Sequence, residues 1–124
     1  MRVFNGTPHN INIVTEARFD PTIRKYVADG EPSVVANIPS DGVLSAKIET
    51  AEGEPIDDIP VYGKKVVGCD PIPRGYDVVV VSALYVAAAK LMGFDVSRLY
   101  TIADPVYTPD GKTILGCRGI APAM

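Results

Sequence analysis

The 124-residue sequence is most informative first through what it lacks. It has one histidine, two cysteines and no tryptophan. A single histidine leaves no His/His ligand pair and no readable Ser/His/Asp or Cys/His spacing, so nucleophilic catalysis has no visible machinery. The two cysteines, Cys69 and Cys117, sit in similar frames, Gly68-Cys69-Asp70 and Gly116-Cys117-Arg118. Two thiols in a chain this long do not make a secreted disulfide framework, and reduced, half-buried thiols in a cytoplasmic protein are expected. A zinc site would need His9 and both cysteines, without any close ligand pair, and no metal is expected.

Charge of one sign and long apolar runs are also missing. Twelve basic against fifteen acidic side chains leave a formal charge of −3, with no concentrated basic surface for DNA or RNA. No stretch approaches the ~18 uncharged apolar residues of a membrane span. The longest apolar run is Val78 to Val81, and the helix expected after it carries Lys90. The opening MRVFNGTPHNINIV lacks the basic and apolar regions of a signal peptide. A single domain over 1–124, with its own hydrophobic core, is expected.

What is present is punctuated by turns. Residues 2–5 and 10–14 read as short strands around the turn Asn5-Gly6-Thr7-Pro8-His9, and Asn10-Ile11-Asn12-Ile13 alternates as a half-buried strand does. Residues 15–30 are polar, with a strand candidate over 22–28 that Asp29-Gly30 should end. Further candidates cover 32–38, 43–50, 59–67 (split near Gly63), 99–103 and 113–118, and the tail APAM has no assigned structure. GCDPIPRG, residues 68–75, reads as a rigid loop. Tyr76 to Val81 reads as a central strand buried on both faces. Ser82 is then the expected cap of a helix from Ala83 to Met92, stopped by Gly93. A helix so apolar should be enclosed, by the sheet on one side and by a partner or another layer on the other. The fold class expected is α+β, a mostly antiparallel sheet with one late helix.

Several side chains are candidates for binding. Ser82 opens a helix whose free N–H groups suit an anion, although a simple cap explains it as well. Arg74 and Arg118 have the geometry for phosphate, or are surface charges, and Lys112 at a hairpin tip reads as solvated. Tyr85, on the first turn of the helix, offers an aromatic face to a base, although a residue so placed is more often core. His9 is read first as a turn residue, then as a ligand contact, and last as a general acid or base.

The opening FNGTPHNINI resembles small phage and prophage proteins that begin with a strand, Asn-x-Thr-Pro-His and an alternating strand. VLSAKIET, DDIPVYGKKVVGCDPIPRG, YDVVVVSALYVAAAK and ADPVYTPDGKTILGCRGI resemble their later blocks, in the same order. One departure is Gly6, where leucine is common, so a looser turn is expected. Within that group the chain is similar to phage anti-Thoeris sponges, which sequester the cyclic ADP-ribose-type signal of TIR-domain defence enzymes without cleaving it. The resemblance implies a homodimer or higher oligomer in the host cytoplasm, no cofactor, no enzymatic turnover, and a small anionic nucleotide held between subunits. Asn5, Thr7 and His9 join Arg74, Ser82, Tyr85, Tyr107 and Arg118 as its candidate ligand-binding residues, the choice resting on their chemistry. Two alternatives stand beside this reading. One is a phage structural or interaction protein without a small-molecule site. The other is a small nucleotide-processing enzyme using His9 with Thr7 or Asp77.

Overall fold

The structure is a computed structural model that describes residues 1–123, and residues 30–33 by their backbone alone. Among the described residues eight strands and one helix follow in the order β1 (Val3–Asn5), β2 (Ile11–Asp20), β3 (Lys25–Ile38), β4 (Ala46–Glu52), β5 (Tyr62–Cys69), β6 (Val78–Val80), α1 (Ala83–Leu91), β7 (Leu99–Tyr107) and β8 (Ile114–Pro122).

β6 organises the rest. Its odd and even residues point opposite ways, as in any strand. Val79 and Val81 join a core under α1 with Tyr85, Val86, Ala89 and Leu99. Val78 and Val80 join a second core with Ile11 and Cys117. Each face of this valine run is therefore buried against a different layer. The crossover from β6 through α1 to β7 makes those strands parallel, and β1 lies parallel to β6 on its other side. Ser82 caps α1, its Oγ accepting from Tyr85 N at 3.2 Å. Gly93 closes it at φ 76°, with Phe94 N donating to Ala89 O at 2.9 Å and Gly93 N to Lys90 O at 3.1 Å. That is the paired hydrogen bonding of a Schellman motif, which needs a left-handed residue there.

Two antiparallel hairpins, β2–β3 and β7–β8, complete the molecule. They join edge to edge through parallel seams, β3 to β7 at Tyr26↔Val106 and β2 to β8 at Ile13↔Cys117, and so close a four-stranded barrel. This corrects the expected fold class. About half of the chain is strand and α1 is nine residues long, so the protein is mostly β. Four of the seven strand pairings among the described residues are parallel. The expectation failed because parallel seams join segments far apart in sequence and leave no local turn signal. Strand lengths shift for a related reason. β2 runs on to Asp20 and β3 is continuous from Lys25 to Ile38, because a closed barrel hydrogen-bonds these polar stretches while leaving many of their side chains in water. β8 likewise takes in Ala121 and Pro122 of the tail, of which Met124 lies outside the described residues.

Of the two covers expected for α1, the fold of the single chain supplies one, and Leu84 and Leu91 lie on the side left to a partner, 54% and 70% exposed. Tyr85 is fully buried and its hydroxyl donates to Asp70 O at 2.5 Å. No helix among the described residues is long and apolar enough to cross a membrane.

Burial, then the negative charges of Cys69 and Asp70, push the Tyr85 phenol up to about 12 from 10. The folded state thus disfavours the phenolate. Its contribution to stability is complete below pH 10 and falls as the pH rises through 12. Denaturant titrations across this window should show a steep alkaline loss of stability, flattened in Tyr85→Phe.

Candidate functional site

The turn between β1 and β2 is built around a buried amide. Asn5 is 0% exposed. Its Nδ2 donates to His9 O and to Ile38 O, each at 2.9 Å. Its Oδ1 accepts from Thr7 N at 3.0 Å and from Thr7 Oγ1 at 2.6 Å. Two donors and two acceptor positions exhaust what an asparagine side chain offers. The backbone is tied as well. Asn5 N donates to Asp41 Oδ2 and Asp41 N returns to Asn5 O, each at 2.9 Å, while Ser40 Oγ donates to Thr7 O at 2.6 Å. Among the described residues no buried side-chain nitrogen or oxygen lacks a partner.

Gly6 tightens this turn. Its N–H donates to Val80 O at 2.8 Å and its carbonyl accepts from Leu44 N at 2.9 Å. A Cβ there would stand 2.9 Å from Leu44 Cδ1 and 3.1 Å from Val80 O. Leu44 fills the space that a larger residue at position 6 would need. The looser turn expected from Gly6 is not found.

The network holds His9 by its backbone carbonyl and leaves the ring exposed. His9 stands at a groove of about 490 Å³ where the start of β2 meets β7 and β8. Asn10 and Asn12 supply its other polar side chains, and Ile11, Ile102, Pro105 and Ile114 its apolar walls. Gly116 and Cys117 also line it. Gly116 permits the close crossing of β8 over β2. A Cβ there would collide with Asn12 O and lie 2.8 Å from Val14 Cγ2. Burial pushes the Cys117 thiol up, which keeps it protonated and weakly nucleophilic. No group of three or more His, Cys, Asp or Glu side chains among the described residues is placed to hold a metal ion.

The other candidates do not gather at this groove. Arg74 is exposed in the loop before β6, and Ser82 follows the same strand at its other end. Ser82 Oγ is engaged as a helix cap, and Tyr85 lies in the core. Tyr107 is half-buried beneath Lys25, whose Nζ sits 4.4 Å from the ring centre. Arg118 lies 4.4 Å above the Tyr26 ring and pairs with Asp104 at 3.0 Å. Arg118, Asp104 and Tyr26 do not line the groove, although Arg118 and Asp104 are the chain neighbours of its residues Cys117 and Pro105. Asn10, Asn12, Ile102, Pro105 and Ile114 were missed as site residues. The alternation of 10–13 showed one face turned outward, yet only the barrel closure shows what faces it.

Comparison with known protein families, with characterised proteins and with solved structures finds no match to this chain.

Asn5 and His9 should therefore separate on substitution. Asn5→Ala removes the side-chain partner of Ile38 O and of Thr7 N, while His9 O keeps the bond from Thr7 Oγ1, and should cost about 2–4 kcal/mol in urea denaturation. His9→Ala removes an exposed ring and should stay within about 0.5 kcal/mol of the parent.

Proposed function

We propose that the protein sequesters a small nucleotide-type ligand without cleaving it, and that the His9 groove holds the base. The observation that carries this reading is the division of labour in Asn5-Thr7-His9. Two side chains are spent on structure, and the third is presented to a cavity. A volume near 490 Å³ falls within the range that small-ligand sites occupy. Apolar walls suit the faces of a base, and asparagine amides can pair with the N6/N7 edge of adenine. The anionic part of the ligand is assigned to Arg118, the residue after Cys117, whose guanidinium lies over Tyr26 outside the groove and has to leave Asp104 to reach it. Its bond to Asp104 joins two side chains that are each 48% exposed, and such a pair is worth ~1 kcal/mol or less. A phosphate can displace that carboxylate cheaply.

The resemblance to phage sponges makes cyclic ADP-ribose isomers the first ligands to test, with the host cytoplasm as the compartment. Catalysis draws less support from the geometry. Thr7 Oγ1 is engaged by Asn5, and Asp77 accepts from Arg2 N at the opposite end of the parallel β1–β6 pair from His9. The open apolar side of α1 favours a second reading, an interaction protein with no small-molecule site.

Thermal unfolding with cyclic ADP-ribose isomers, cyclic dinucleotides and linear nucleotides, followed by mass spectrometry, separates the readings. Sequestration predicts a rise in Tm with the ligand recovered intact. A ligand at ~100 times its Kd contributes about 2.7 kcal/mol. His9→Ala and Arg118→Ala should each weaken binding about tenfold, the loss of one good polar contact. A cleaved ligand would contradict the proposal, as would the absence of any shift.

A further inference from the structure

The β4–β5 hairpin stands apart from the barrel as a sheet of only two strands. α1 packs against both of its strands, and among the described residues neither outer edge pairs with a further strand. Those edges differ. On β5, Lys64 and Lys65 are adjacent and exposed, and a bulge places Val67 as an extra residue opposite the Lys47–Ile48 step. Edge lysines and bulges are the usual defences against strand addition. β4 has no bulge of its own, carries no proline, and is exposed from Lys47 to Glu52. It reads Ala-Lys-Ile-Glu-Thr-Ala-Glu, with Lys47 and Glu49 flanking Ile48, which is 40% exposed.

That pattern is complementary to itself. When two copies of β4 run antiparallel about a two-fold axis at Ile48, Lys47 of each copy lies opposite Glu49 of the other. The two isoleucines then meet on the axis. Opposite charges facing across strands stabilise a pair and like charges destabilise it. On β5 a two-fold axis at Lys64 or Lys65 sets lysine on lysine, and one at Val66, across from Ile48, leaves Lys65 opposite Val67 with no opposite charge. We propose that the protein forms a symmetric dimer through β4, making a four-stranded sheet in the order β5-β4-β4-β5. Closed two-fold contact is the commonest form of self-association, and here it pairs residues 46–50 of β4 in one copy with the same residues of the other. The dimer does not depend on the proposed ligand, and is tested without it.

Sedimentation velocity at micromolar concentration should give a mass near twice 13.2 kDa for the parent protein. Ile48→Lys places two ammonium groups on the axis, and Lys47→Glu sets carboxylates opposite each other. Each should give a folded monomer with an unchanged far-UV circular dichroism spectrum. The swap Lys47→Glu with Glu49→Lys restores opposite charges across the axis and should restore the dimer. A monomeric parent protein would overturn the proposal. So would a dimer that survives both single substitutions, or one that the charge swap fails to recover.

Discussion

The side-chain amide of Asn5 is the constraint on which the rest of this architecture depends. It sits at the carboxyl end of β1, where the chain must leave one layer and enter the barrel. From there it bonds to the backbone at residue 9 and at the end of β3. An apolar residue in the same place would remove both bonds, leaving His9 O with only the bond from Thr7 Oγ1, and a carbonyl left unpaired costs about 1–3 kcal/mol. Because every donor and acceptor is used, the turn has a single arrangement. The ring of His9 is then directed by a network that it does not itself join.

Around that point the chain solves two packing problems with one strand. β6 and the residue that follows it bury Val79 and Val81 under α1, and Val78 and Val80 toward the barrel. A four-stranded barrel is narrow, and close approach of its strands has to be permitted locally. Gly116 permits it where β8 crosses Asn12 and Val14. The groove lies beside that crossing, so the residue that lets the barrel close also shapes the candidate site. The fold and the site share their most sensitive positions.

Local chemistry was legible in the sequence and long-range pairing was not. Ser82 and Gly93 bracket α1 because a cap hydroxyl and a left-handed glycine act within a few residues of themselves. The turn at Asn5–His9 could be read for the same reason, and so could the tip after Tyr107, where Thr108 Oγ1 bonds Asp110. The burial of Asn5 could not, because its partner Ile38 lies 33 residues away. The parallel seams of the barrel involve segments farther apart still. Among the site residues, the arginines had the right chemistry for anions but no visible neighbours. Arg118 proves to be stacked on Tyr26 and paired with Asp104, while Arg74 stays in solvent at the far end of β6 from Ser82. Tyr85 illustrates the reverse case. Its aromatic ring suited either a base or the core, and the helix periodicity turns it inward.

The most direct test of the account is an NMR titration of the protein with a cyclic ADP-ribose isomer, following the His9 imidazole and the side-chain amides of Asn5, Asn10 and Asn12. The account predicts that the signals of His9, Asn10 and Asn12 move in step with the bound fraction. Those of the Asn5 amide should stay in place, protected from exchange in its closed network. Perturbations confined to Arg74 and Ser82, or an Asn5 amide that exchanges freely with water, would contradict it.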